Sequence, residues 1–298
     1  MAINHEYRTL VYREYEISSP DIWLQLSKIS TLFIFRGQSD REYGLSTTIE
    51  RGIRNQFMPL YEVKIIEEFR RRANNYISSP PSENNILEWL AMIQHYGGPT
   101  RLLDFTRSYF IASFFALSNK VINKKDERDV SIWAINTSQL ISHLSKKVGK
   151  EVIKDKSQLL KIAINNIPSN GMKGVFIAEP FEMNNRLFAQ QGLFVVPINL
   201  HSTYEENLFS TFDSTSEIRR NTKCISISNY EEIKDEFMRT CIIKINIPHA
   251  VSQSIVEYLH KMNINYTTIY PDLEGLARSL YDITFDKLWR DEEYRFYK

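Results

Sequence analysis

Cysteine is nearly absent from this chain. Its 298 residues hold two, Cys224 and Cys241, too few and too far apart for a disulfide framework or a paired zinc site. That scarcity points to a reducing compartment. The opening residues Met1-Ala2-Ile3-Asn4-His5-Glu6 lack the basic and apolar regions of a secretory leader. The longest apolar run, Tyr109–Leu117, is far short of a membrane span. Together these absences lead us to expect a soluble, cytoplasmic protein with no membrane partner. Charge of one sign is also missing: the net charge is +1, so no global field draws the chain to nucleic acid. The histidines at 5, 95, 143, 201, 249 and 260 show no ligand spacing, and no metal is expected. There is no Gly-x-x-x-x-Gly-Lys phosphate loop, no fixed-period repeat and no low-complexity stretch.

What remains is ordinary globular composition, 43% hydrophobic and 24% charged, which can bury a sizeable core without staples. Strands are expected at Thr31–Gly37, Val130–Asn136, Gly174–Ala178, Leu193–Val196, Cys224–Ser228, Cys241–Ile247 and Tyr266–Tyr270, with a short edge strand near Leu10–Ile17. Helical spacing appears after Ser19-Pro20, through residues 59–77, at Ile86–Ile93, at Tyr109–Leu117, and at Val251, Ile255, Leu259 and Met262. Residues 201–221 read as a polar loop. The pattern predicts an α+β fold, a mixed or antiparallel sheet surrounded by helices. We read residues 1–298 as a single domain, with a Lys-rich helical insertion at about 137–167.

One stretch concentrates the polar chemistry: Gln94-His95-Tyr96-Gly97-Gly98-Pro99-Thr100-Arg101-Leu102-Leu103-Asp104-Phe105-Thr106. It reads as a polar turn between two buried helices, the second capped by Thr106 or Ser108. Two other segments join it. Phe35-Arg36-Gly37-Gln38 ends an apolar strand with a guanidinium, and Arg186-x-x-x-Gln190-Gln191-Gly192-x-Phe194 leads into a later one. The ends of these strands and the turn are expected to line one cleft. Arg36 suits bidentate binding of a pyrophosphate or carboxylate, with Gly37 leaving room for the ligand; its structural alternative is a salt bridge to Asp104. His95 suits a general base, against a buried, hydrogen-bonded histidine. Gln94 suits a carboxamide clamp on backbone or ligand. Asp104 is expected to be buried and bonded to Arg101, His95 or backbone N–H groups, because an isolated buried charge is costly.

These motifs, followed by Tyr270-Pro271-Asp272-Leu273-Glu274-Gly275-Leu276-Ala277, resemble the FRG domain family over roughly residues 30–280. The family is named for its Phe-Arg-Gly signature. Phe105 stands where an aromatic Trp is common, and Gly98 where a larger residue is common, which is expected to loosen the turn. The arginine ending an early strand, the hydroxyls after it and a late acid are similar to the ADP-ribosyltransferase fold. That similarity implies NAD as substrate. It gives Arg36, His95 and Glu274 as catalytic candidates, with Glu179 as the other carboxylate. It places Gly37, Gln38, Gln94, Thr100, Arg101, Gln190 and Gln191 around the dinucleotide. The implied protein is a bacterial or phage-related effector, an NAD-using toxin or anti-phage defence component, acting on an unidentified protein or nucleic acid. The other readings are a non-catalytic module sensing protein or nucleic acid, and a metal-free nuclease using His95 and Asp104.

Overall fold

The computed structural model describes residues 9–53, 57–123, 125–154, 156–165, 171–181 and 185–290. The chain opens with β1 (Leu10–Ile17), α1 (Pro20–Leu26), β2 (Phe33–Gln38), α2 (Thr48–Gly52), α3 (Met58–Ala73), α4 (Ile86–His95), β3 (Leu103–Thr106), α5 (Tyr109–Ile122) and β4 (Val130–Asn136). It continues through α6 (Thr137–Val148), α7 (Lys150–Lys154), α8 (Lys156–Asn165), β5 (Val175–Ala178), α9 (Asn185–Ala189) and β6 (Gly192–Pro197). It closes with α10 (Tyr204–Thr211), α11 (Ile218–Asn221), β7 (Cys224–Ile227), α12 (Tyr230–Arg239), β8 (Thr240–Ile247), α13 (His249–Lys261), α14 (Tyr266–Ile269) and α15 (Leu273–Arg290).

The strands form one mixed sheet in the order β5-β6-β3-β2-β4-β8-β1-β7, so the fold is α+β. β1 runs parallel to both its neighbours, β7 and β8, and the other pairs are antiparallel. β1 is therefore an inner strand, not the expected edge. Its Tyr12, Tyr15 and Ile17 are fully buried, which an edge would not require.

Alternation along β2 and β4 splits the core between the two faces of the sheet. Phe33, Phe35, Ile132 and Ala134 join α5, α1 and α13 on one face. Ile34, Trp133 and Ile135 join Tyr204, Leu208 and Phe209 of α10 on the other. A third cluster packs α3, α4 and α8 against Phe176, Phe194 and Val196. Leu140, Leu144, Leu159, Leu160 and Ala163 are buried, so the Lys-rich segment presses its apolar side into the core.

Three local expectations are corrected. Residues 204–211, within the expected polar loop, form helix α10. Its start is a reciprocal capping box, in which Thr203 accepts from the Glu206 N–H and Glu206 accepts from the Thr203 N–H. Tyr266–Ile269 is a helical turn capped by Asn265, not a strand. The central polar stretch is not one turn between two helices, because Leu103–Thr106 enters the sheet as β3 between β2 and β6.

Candidate functional site

The Phe-Arg-Gly triplet is explained by what lies on each side of β2. Phe35 is buried and meets Tyr109 of α5 edge-on, with ring centroids 5.5 Å apart. Gly37 lies against the α5 backbone. A Cβ there would sit 2.5 Å from the Ala116 nitrogen and closer still to the Ala112 carbonyl oxygen. Gly37 thus answers to helix packing; room for a ligand is not what requires it. Between them, Arg36 stands where β2 and β3 part after the register pair Phe35–Thr106. Its Nη1 donates to the Asp104 carbonyl oxygen at 2.7 Å.

The central stretch leaves α4 through a Schellman turn. Gly97 takes a φ of +82°, its N–H donates to the Gln94 carbonyl at 3.0 Å, and the Gly98 N–H donates to the Ile93 carbonyl at 2.8 Å. A Cβ at Gly98 would stand 2.5 Å from Ile93 Cγ2, so this glycine fits a tight turn and does not loosen it. Thr48 then clamps Thr100: the Thr100 N–H donates to Thr48 Oγ1 at 2.8 Å, and that hydroxyl donates to the Thr100 carbonyl at 3.1 Å. The Thr100 hydroxyl donates to Gln94 Oε1, which turns the Gln94 amide outward. Gln94 Nε2 donates to Asp104 Oδ2 at 2.9 Å and to the Leu102 carbonyl at 3.3 Å. Ser108 caps α5, accepting from the Ile111 N–H at 3.2 Å.

These elements enclose a cleft of about 800 Å³ over β2, β3 and β6. Arg36, Gly37 and Gln38 line it from β2, Gln94 and His95 from α4, and Asp104 and Thr106 from β3. Arg186, Gln190 and Tyr270 line it as well. Three sequence segments far apart in the chain therefore share one site. Arg186 lies over the Tyr270 ring at 4.2 Å, and His95 meets the Tyr96 ring at 4.9 Å. Gln38 Nε2 donates to the Gly44 carbonyl at 3.1 Å, and Gln190 Nε2 to the Ile269 carbonyl at 3.3 Å.

Arg36 dominates the electrostatics. Its side chain is 19% exposed, and the nearest carboxylate oxygen in an ion pair with it, Asp104 Oδ2, is 4.0 Å away. Its Nε has no partner among the described residues. Burial lowers the guanidinium pKa, and Asp104 opposes that shift only in part. The charge is thus recessed and incompletely matched.

Other expectations are revised. Asp104 is not buried: its side chain is 59% exposed and faces the cleft. Arg101 does not reach the cleft or Asp104. It is fully buried, donating from Nε to the two Glu62 carboxylate oxygens at 2.8 and 2.9 Å, and from Nη1 to the Ala163 and Pro197 carbonyls at 3.0 and 3.2 Å. Thr100 is likewise buried and holds Gln94 in place. Gln191 sits in a turn at φ +46°, exposed, and its carbonyl accepts from the Arg107 N–H at 3.1 Å, outside the cleft lining. Glu274 and Glu179 do not line the cleft either. Glu274 pairs with Arg278 at 2.7 Å and Arg186 at 3.6 Å, and Glu179 with Arg107 at 2.6 Å. Sequence reasoning missed Glu62 and the lining from Phe115, Ser118 and Asn119 in the second half of α5. The signal for Glu62 was an acid at the apolar phase of α3, four residues from both Met58 and Ile66.

A family model described as the FRG domain matches residues 31–126, the stretch from the start of β2 through α5. That stretch supplies Arg36, Gln94, His95 and Asp104, while Arg186, Gln190 and Tyr270 lie beyond it. No curated protein and no solved structure matches the chain.

Proposed function

We propose that this chain, which carries an FRG domain at residues 31–126, binds NAD in the cleft and transfers ADP-ribose to a macromolecule. On this reading it is a toxin or anti-phage defence component of bacterial or phage origin, with an ADP-ribosyltransferase-like chemistry. The observation that carries the reading is the recessed, under-matched guanidinium of Arg36. An anionic phosphate would supply the missing acceptor, and the planar fork suits it. Arg186 also lines the cleft, paired with Glu274 at 3.6 Å, and a volume of about 800 Å³ is in the range of sites for ligands of this size.

The reaction assigns the remaining groups. The C1′–N glycosidic bond breaks and nicotinamide leaves with the bonding electron pair. A nucleophile on the target bonds to C1′ and releases its proton. Asp104, turned to the cleft and held by Gln94, is the carboxylate that would stabilise the oxocarbenium-like charge. It replaces Glu274 and Glu179 in that role because neither lines the cleft. His95, which also lines the cleft, would accept the released proton.

Radiolabelled NAD incubated with the purified protein and a bacterial lysate tests this reading. We expect label on macromolecules or free nicotinamide, lost in Asp104→Asn. Absence of both products, with wild-type protein shown to be folded, would refute it and leave a binding module.

A further inference from the structure

We infer that the loop 39–44 is a lid on the cleft, latched shut by Lys244. Sheet register lays two polar rows side by side beneath it. One runs Gln38, Ser131, Asn246 and Glu16 across β2, β4, β8 and β1, and the other runs Arg36, Trp133, Lys244 and Glu14 across the same strands. The next row on that face, Ile34, Ile135 and Ile242, is apolar, as buried sheet positions ordinarily are. The loop folds back over the two polar rows. Lys244 Nζ donates to the Arg41 carbonyl at 2.6 Å, Gln38 Nε2 to the Gly44 carbonyl at 3.1 Å, and Arg41 Nη1 to Glu16 Oε2 at 2.8 Å. Ser131 and Asn246 are fully buried, and Lys244 nearly so.

Two features make this a cover that opens. The first is how the loop is held. None of its residues, Ser39 to Gly44, is buried. Its attachments are polar, and they include Arg41 to Asp129 at 3.0 Å and Arg128 to Asp40 at 3.4 Å. A segment held without apolar burial opens at the low end of a protein's local stability. The second is what lies below. Ser131 Oγ, Trp133 Nε1 and Asn246 Oδ1 are buried with no hydrogen-bond partner among the described residues. An unmade bond in the interior carries a desolvation cost, and lifting the loop removes it by bringing water to these atoms. Burial also lowers the Lys244 pKa, so its charge gains from exposure too. Against these gains stand the loop's polar bonds, the one from Lys244 directly beneath the chain. Gln38 and Ser39 line the cleft, so lifting the loop moves that wall. The lid goes beyond the proposed function and holds whatever the cleft binds.

Hydrogen–deuterium exchange of the full chain tests the lid. The loop's amides are bonded only while it is closed: the Arg41 N–H donates to the Asp129 carbonyl at 2.8 Å, and the Leu45 N–H to Glu205 Oε1 at 2.9 Å. In wild type, peptides covering 39–45 should exchange at least ten-fold faster than those of β4, yet at least ten-fold slower than an unfolded chain. Lys244→Met should speed exchange at 39–45 at least ten-fold and leave β4 and α5 unchanged. Glu14 keeps its bonds from Asn246 Nδ2 at 2.7 Å and the Tyr12 hydroxyl at 2.9 Å in that variant, so no bare carboxylate remains. Arg41→Ala should act in the same direction and serves if Lys244→Met fails to fold. Loop exchange as slow as that of β4, as fast as that of an unfolded chain, or unchanged in both variants would overturn the lid. ADP-ribose at saturation should slow exchange at 39–45, and bound ADP-ribose that leaves it unchanged would overturn the loop's link to the cleft. Failure of ADP-ribose to bind contradicts the proposed function alone, because the latch is read without ligand.

Discussion

Replacing Glu62 by Leu should destabilise the protein without touching the cleft. Arg101 and Glu62 each expose 1% of their side chains. The guanidinium keeps only the Ala163 and Pro197 carbonyls once the carboxylate is gone. An uncompensated buried charge of this kind costs about 3–5 kcal/mol. For a chain of 298 residues the unfolding entropy is roughly 0.6 kcal/mol per kelvin, so the melting temperature should fall by about 5–8 °C. Arg101 ties α3, α8 and β6 to the segment entering β3, so the loss should be global and visible by calorimetry and by denaturant unfolding alike. The double replacement Glu62→Leu/Arg101→Met should recover most of it, because an apolar pair of similar volume removes both desolvated charges. A Glu62→Leu protein melting within about 1 °C of wild type would refute the argument that this pair is structural.

Other outcomes follow from the same geometry. Gly37→Ala should cost about 3 kcal/mol, read by thermal denaturation, because the new methyl meets the α5 backbone, which cannot step aside as a side chain would. Asp126 is held to a pKa of about 2, chiefly by its hydrogen bonds from Arg128. A depressed carboxylate pKa stabilises the fold above the unfolded value near 4, and that contribution fades as pH falls from about 4 to 2. Asp126→Asn should therefore lose about 1–2 kcal/mol at pH 7, discounted for the half-exposed Arg128, with the gap to wild type closing in acid. Parallel denaturation curves across pH, with a constant gap, would contradict this.

Much of the fold is legible in the sequence because its cause is local. Val130–Asn136 is an apolar run between charged and polar turns, and it forms β4 over the residues expected. The Gly97-Gly98 break fixes the end of α4 through its own backbone bonds. Errors occur where local signals conflict or where the cause is distant. In α10, the acids and hydroxyls of 203–211 mask the apolar residues Tyr204, Leu208 and Phe209, though the Thr203-x-x-Glu206 capping box was there to be read. In Tyr266–Ile269, two threonines and an isoleucine suggest strand, while Asn265 caps a helical turn that the packing of Tyr266 and Ile269 sustains. The site divides in the same way. Arg36, Gln94, His95 and Gln190 fall in motifs whose polar groups reach one cleft. Arg101 sits in the same motif but answers to Glu62, 39 residues earlier, a pairing only the tertiary fold reveals.

Titration calorimetry of NAD and ADP-ribose into wild type, Arg36→Lys and Arg36→Ala tests the proposed anion site at Arg36. Lysine keeps the charge but loses the planar fork. Arg36 also gives up one hydrogen bond to the Asp104 carbonyl, worth about 1 kcal/mol, so both variants should remain folded. We predict that wild type binds both ligands, that Arg36→Lys binds them at least ten-fold more weakly, and that Arg36→Ala shows no measurable binding. Equal affinity in all three proteins, or no heat with folded wild type, would contradict an anion site at Arg36.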